Sequence, residues 1–187
     1  MIKLSDYAPF NDHIESLQDL SYDTAEKEYL TTATHCAIAF DKAKSSYIRQ
    51  YADPKSELSS VDALLQTNDA VVLVEFKNGD LSDGKRKKEV RLKVCDSLLM
   101  LSGIFNISLS EIRTQTDFIL VYNEEKNPRS DPEKNRSRNA IHGHWMEKAN
   151  TDEVRFSMNM LRSIYFREVH TFTTEQFEDY LSEQFPA

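Results

Sequence analysis

Glycine and proline are scarce in this chain, at four and five residues in 187, and there are only two cysteines and one tryptophan. So little glycine and proline excludes a low-complexity or linker-like chain, and the hydrophobic share of 40% fits a globular one. No glycine-rich phosphate loop and no nucleophile elbow occurs in the sequence. Cys36 and Cys95 both lie in helical-looking stretches with apolar neighbours and are expected as two buried free thiols. No apolar run is long enough to span a bilayer, so no membrane partner is expected. Met1-Ile2-Lys3-Leu4-Ser5-Asp6 lacks the apolar segment of a signal peptide, which makes the cytoplasm the expected address. Net positive charge is missing too. A formal charge of −8 argues against a protein that coats nucleic acid with its whole surface. The charge is uneven, however. Lys85 to Arg138 holds 12 Lys/Arg and 8 Asp/Glu, a net of +4 that leaves −12 for the remainder, so a locally basic face is compatible with the acidic total.

The length suits one domain over 1–187 with a substantial core. A short helix is expected from about Asn11 to Leu20. Asp23, with Glu26 three positions later, reads as a capping box opening a longer helix. The 3.6-residue spacing of Tyr29, Ala33, Cys36, Ala37, Phe40, Ala43 and Tyr47 carries that helix to just before Asp53-Pro54. Ser60 to Gln66 and Val71 to Lys77 read as two strands joined by Thr67-Asn68-Asp69-Ala70, a hairpin. Ser82 or Asp83 caps a helix from about Lys85 to Phe105. Its second half (Val94, Cys95, Leu98, Leu99, Met100, Leu101, Ile104) is apolar nearly all round and is expected to be buried. Phe118 to Tyr122 reads as an interior strand parallel to the second hairpin strand, with the helix as crossover. Asn123 to Asn139 reads as a mobile loop. A helix over Val154 to Ile164, a strand over Phe166 to Phe172 and a final helix over Thr174 to Gln184, capped by Thr173 or Thr174, complete the chain. The fold class expected is α/β, a small mixed sheet flanked by helices, with its core over about 24–122.

Glu75-Phe76-Lys77 closes the apolar run Val71-Val72-Leu73-Val74. Strand side chains alternate, so Glu75 and Lys77 share one face. With a loop of two or four residues, the hairpin register sets Asp62 opposite Glu75 and Ser60 opposite Lys77. Opposed residues have β-carbons about 4.5–5.5 Å apart. Two carboxylates that close repel each other, and a divalent cation removes the repulsion. Mg²⁺ takes oxygen ligands and keeps several waters, so two carboxylates suffice as protein anchors. An ammonium beside them suits phosphodiester hydrolysis, with the cation lowering the pKa of water and screening phosphate charge.

Val61-Asp62, then Glu75-Phe76-Lys77 thirteen positions on and before a helix, resemble the PD-(D/E)XK, restriction-endonuclease-like, nuclease superfamily. The resemblance covers mainly Ser60 to Tyr122. It implies an α-β-β-β-α-β core and a Mg²⁺- or Mn²⁺-dependent phosphodiesterase acting on nucleic acid, DNA before RNA. It also implies Asp62 and Glu75 as metal ligands, the Phe76 carbonyl as a third ligand, and Lys77 as the catalytic lysine. Val61 stands where the nominal motif has proline. Members often carry a further glutamate on the first helix, for which Glu26 is the best match. Arg91 or Lys93 on the following helix would correspond to polar residues that point into the site. The alternative is a catalytically inactive nuclease-fold protein that binds a partner, which the acidic total charge favours.

Lys85-Arg86-Lys87-Lys88 crowd cations into a helix's first turns, where the macrodipole disfavours them by about 0.3–1 kcal/mol each. They read either as contacts to a nucleic-acid backbone or as a solvated charged face. Arg129, Lys134, Arg136 and Arg138 read either as a clamp on nucleic acid or, chiefly, as a soluble loop. His142-Gly143-His144-Trp145 lacks the partners of a zinc site. The oligomeric state, including a homodimer, is left open by the sequence.

Overall fold

The structure is a computed structural model that describes residues 2–51, 58–128 and 154–186. Its centre is a six-stranded mixed sheet in the order β1 (Ile14–Ser16), β4 (Cys36–Ala39), β5 (Ala63–Gln66), β6 (Val71–Lys77), β7 (Thr116–Tyr122) and β8 (Glu168–Thr173). β1, β4, β5 and β6 pair antiparallel, while β6, β7 and β8 pair parallel. A separate ribbon is formed by β2 (Tyr22–Asp23) and β3 (Glu28–Tyr29). The β5–β6 connection is tight because Thr67 organises it. Its amide donates to the Ala70 carbonyl at 3.0 Å, and its Oγ1 accepts from the Ala70 amide at 3.0 Å. A parallel pair needs a crossover, and α4 (Gly84–Phe105) supplies it between β6 and β7.

Side-chain alternation divides the sheet into two faces. Leu64, Val71, Leu73, Phe118, Leu120 and Tyr122 pack on one side against Phe40 of α3 (Phe40–Tyr51) and against Val90, Val94, Leu98 and Leu101 of α4. Leu65, Val72, Val74, Phe76, Ile119 and Val121 pack on the other side. There they meet Leu17 of α2 (Leu17–Leu20) and Phe177 and Leu181 of α6 (Thr174–Gln184). Both faces are covered, which explains why β6 and β7 are apolar at nearly every position rather than at alternate ones.

Helix ends follow the expected caps. The Asp83 side chain accepts from the Lys85 amide at 2.9 Å, and Asn106 stops α4 in a left-handed conformation at φ 54°. Thr173 and Gln176 make a reciprocal capping box that starts α6.

Several expectations do not hold. Residues 11–20 are not one helix but the end of α1 (Ala8–Asn11), strand β1 and the one-turn α2. The long helix expected after Asp23 begins only at Phe40. Asp23 does accept from the amides of Ala25 and Glu26, as an N-cap would. Lys27 then turns to φ 58°, and the chain folds back as the β2–β3 ribbon. Cys36 consequently lies on a strand and is exposed, while Cys95 is half-buried. β5 begins at Ala63, so Ser60 is not paired with Lys77 and donates instead to Asp41 Oδ1 at 2.6 Å. Leu99 is exposed rather than buried. Val154 to Ile164 holds only a 3-10 turn at Met158–Leu161. Between α3 and α4 the described residues contain two strands, where the resemblance implies three. α5 (Leu109–Ile112) is a further one-turn helix, between α4 and β7. Arg129, Lys134, Arg136, Arg138 and His142-Gly143-His144-Trp145 lie outside the described residues, as does most of the loop expected over Asn123 to Asn139. No helix among the described residues is long and apolar enough to cross a membrane.

Candidate metal and phosphodiester site

The β5–β6 register is Ala63 opposite Val74, Leu64 opposite Leu73, Leu65 opposite Val72 and Gln66 opposite Val71. Asp62 is one residue before the ladder and continues it, donating its amide to the Val74 carbonyl at 3.1 Å. Alternation along β6 puts Glu75 and Lys77 on the face of Val71 and Leu73, beneath α4. One turn of α4 fastens the segment that leads to Asp62. Asp96 accepts from the Ser59 amide at 2.9 Å, and Ser97 Oγ accepts from the Val61 amide at 2.9 Å. Lys93, three and four residues earlier and so on the same side of the helix, reaches the carboxylates themselves.

The four charges form a compact group. Lys93 Nζ is 3.0 Å from Asp62 Oδ1 and 2.7 Å from Glu75 Oε1. Lys77 Nζ is 2.8 Å from the same Glu75 oxygen. Asp62 Oδ2 accepts from the Phe76 amide at 2.7 Å, which fixes the carboxylate against the strand. Glu75 is fully buried. Both ammonium groups are close to its Oε1 but off hydrogen-bond direction, and its Oε2 has no partner at all. Burial, reinforced by the Asp62 charge, pushes the Glu75 carboxyl up to about 7, against the pull of Lys93 and Lys77. Burial alone would lower the Lys93 ammonium, but the charges of Glu75 and Asp62 outweigh it and hold that group well above the ordinary lysine value.

The group opens on a cleft of about 320 Å³ lined by Tyr22, Asp23, Thr24, Asp62, Lys77 and Lys93 among others. Backbone and side chain of Phe76 part company here. Its ring packs on the far face against Phe177, at 5.8 Å between centroids, while its residue borders the cleft.

The accessory candidates separate clearly. Lys93 belongs to the site. Arg91 does not, because it points away from the carboxylates and donates to the Ser157 carbonyl at 3.5 Å. Glu26 is not on a helix. It sits in the ribbon turn, 3.5 Å from Lys126, and borders a second cleft beside Lys77. Its neighbour Glu28 is the residue tied to the end of β6, accepting from Asn78 Nδ2 at 2.6 Å. The acid that the first long helix does bring near the site is Asp41, which no local sequence signal marks. It accepts from Ser60 and from Lys44 at 2.6 Å, and its carboxyl is held below the usual range. Burial opposes that shift, and the two hydrogen bonds, with the nearby charges of Lys44 and Lys93, overcome it. Lys85, Arg86 and Lys88 are exposed and Lys87 is half-exposed. Of these four only Arg86 borders the cleft beside Lys77, and its guanidinium is drawn back onto the Asp80 carbonyl at 2.9 Å.

The donor set suits a hard divalent cation. It offers two carboxylates with oxygens within 3.0 Å of one point, the Lys93 nitrogen, and a buried Glu75 oxygen that lacks a partner. Among the described residues no three His, Cys, Asp or Glu side chains gather into a metal cluster, so waters and a backbone carbonyl would have to complete any coordination. Comparison of the chain with family models, with curated proteins and with solved structures gives no match.

Proposed function

We propose that the chain is a Mg²⁺- or Mn²⁺-dependent phosphodiesterase of the restriction-endonuclease-like kind, acting on nucleic acid, with DNA ahead of RNA. The observation that carries this reading is the convergence of Asp62 and the fully buried Glu75, with Lys77 at 2.8 Å, at the end of an interior strand that opens on a cleft. Buried carboxylates without hydrogen bonds are costly, and such clusters concentrate at functional sites.

Asp62 and Glu75 would hold the cation, with the Phe76 carbonyl as the third protein ligand. When bound, such a cation supplies Lewis acidity at a phosphoryl oxygen and screens the phosphate charge. Asp62 is held ready by the Phe76 amide, so it keeps its direction without reorganisation. Lys77 would orient an attacking water and steady the added negative charge on phosphorus. Arg86, the one residue of Lys85, Arg86, Lys87 and Lys88 that lines the neighbouring cleft, would seat a backbone phosphate.

A second reading rests on a different observation. Lys93 already gives both carboxylates a positive charge, which is how a nuclease-fold protein that had lost its metal and served as a binding module would be stabilised. Cleavage of DNA and RNA substrates with and without Mg²⁺, using Lys77→Ala as the control, separates the two. Metal-dependent cleavage by the wild type that Lys77→Ala abolishes supports the phosphodiesterase. No cleavage, together with no change in thermal melting on adding Mg²⁺, leaves the binding module.

A further inference from the structure

Lys93 is placed where a bridging cation would be. Its nitrogen is within 3.0 Å of one oxygen from each carboxylate, whereas Lys77 reaches Glu75 alone. The helix that carries Lys93 is anchored on either side by the buried Val90, Val94 and Ser97, so the side chain is delivered from a rigid support. With both acids ionised, as metal ligation requires, two carboxylates and two ammonium groups balance to zero formal charge. A divalent cation entering that group with both lysines in place would leave a surplus of two positive charges beside a fully buried residue. Like charges only about 4 Å apart repel strongly when water is partly excluded. With Lys93 released the surplus is one, which a phosphodiester would cancel. The released side chain still lies in the cleft it lines with Lys77, Thr24 and Tyr22, where that phosphate would arrive.

Building on the phosphodiesterase reading, we infer that Lys93 is an internal competitor for the divalent cation: a tethered ammonium that holds the two carboxylates together in the metal-free protein and must swing off them when metal is loaded. The sequence presents Lys93 only as a polar residue on the crossover helix. The structure distinguishes it from Lys77 by its contact with both acids.

Mn²⁺ affinity, measured by electron paramagnetic resonance on the full chain, tests the inference without any catalytic readout. Lys93→Met is expected to bind Mn²⁺ at least tenfold more tightly than the wild type, while Lys77→Met, which frees only Glu75, gains less. Lys93→Gln, with circular dichroism as the check on folding, repeats the comparison should the methionine variant fold poorly. A wild type that binds Mn²⁺ and Lys93 variants that bind it equally or more weakly would overturn the competitor and leave the metal site standing. Binding by neither protein would overturn both. Within the unaltered chain, the Lys93 side-chain carbon resonances are expected to move as Mg²⁺ is added. A titration that saturates the Asp62–Glu75 site while those resonances stay fixed would also overturn the inference.

Discussion

Two charged groups are built into the same sheet and end very differently. Near the start of β7, Asp117 meets Arg167 in a two-point pair. Nε donates to Oδ1 at 3.1 Å and Nη2 donates to Oδ2 at 2.9 Å. The Glu168 amide adds a third bond to Oδ1, also at 3.1 Å. Every carboxylate oxygen there has a directed donor. At the far end of β6, Glu75 is more deeply buried, yet two ammonium groups crowd one of its oxygens without hydrogen-bond direction and the other has none. Lysine is a compact charge, whereas arginine is a planar fork that matches a carboxylate. The first pair is closed by its own geometry and holds β7 to β8. The second leaves one fully buried carboxylate oxygen, Glu75 Oε2, without a hydrogen-bond partner.

The contrast can be broken most severely by substitution. Lys77→Ala is expected to lower metal-dependent cleavage by about 100- to 10,000-fold, the range for a group that acts only in the transition state, with little change in melting temperature. Arg167→Met should do the reverse, leaving the rate per folded molecule intact while reducing stability in urea by roughly 1–3 kcal/mol, the range for an orphaned polar group. Equal effects of both on cleavage would erase the distinction.

The pH dependence of stability sharpens the same contrast. Glu75 is raised from 4.5 to about 7, with Asp62, Lys77 and Lys93 as the charged groups facing it. The folded state therefore holds the Glu75 proton more tightly than the unfolded chain does. The resulting stabilisation is full below pH 4.5 and is lost as pH rises towards 7. Urea denaturation of Glu75→Gln is expected to lack that decline, and an unchanged profile would show that Glu75 is not the group responsible. The smallest expected effect is at the basic rim. Arg86→Ala should weaken nucleic-acid binding a few-fold and reduce the slope of log affinity against log salt by about one, if that residue seats one phosphate. An unaltered slope in a filter-binding titration would make the rim a solvated surface.

What was readable in the sequence follows the strength of the local signal. β6 is bounded by turn formers on both sides and opens with three valines in four positions, and its pairing with β5 is the one that the turn length dictates. The crossover α4, its Asp83 cap and the parallel β7 follow from the same clarity. The region from Asn11 to Phe40 misleads because its local chemistry is genuine but incomplete. Asp23 makes cap-like bonds, and only the left-handed Lys27, together with the tie between Glu28 and Asn78, turns the chain into a ribbon. Cys36–Ala39 is too short and alanine-rich to announce a strand. At the site, Asp62, Glu75 and Lys77 could be brought together from the hairpin alone. Choosing between Arg91 and Lys93 required the rotational setting of α4, which is fixed by packing through Val90, Val94 and Leu101 rather than by any local motif. Asp41 was hidden for a related reason, since it reaches the site's neighbourhood only once α3 starts at Phe40.

The most direct test of the account is a crystal of the protein soaked in Mn²⁺ and measured at the manganese absorption edge. One anomalous peak is expected between Asp62 and Glu75, within coordinating distance of an oxygen from each and with the Lys93 ammonium moved aside. A fully soaked crystal in which that position is empty, with Lys93 still joining the two carboxylates, would contradict it.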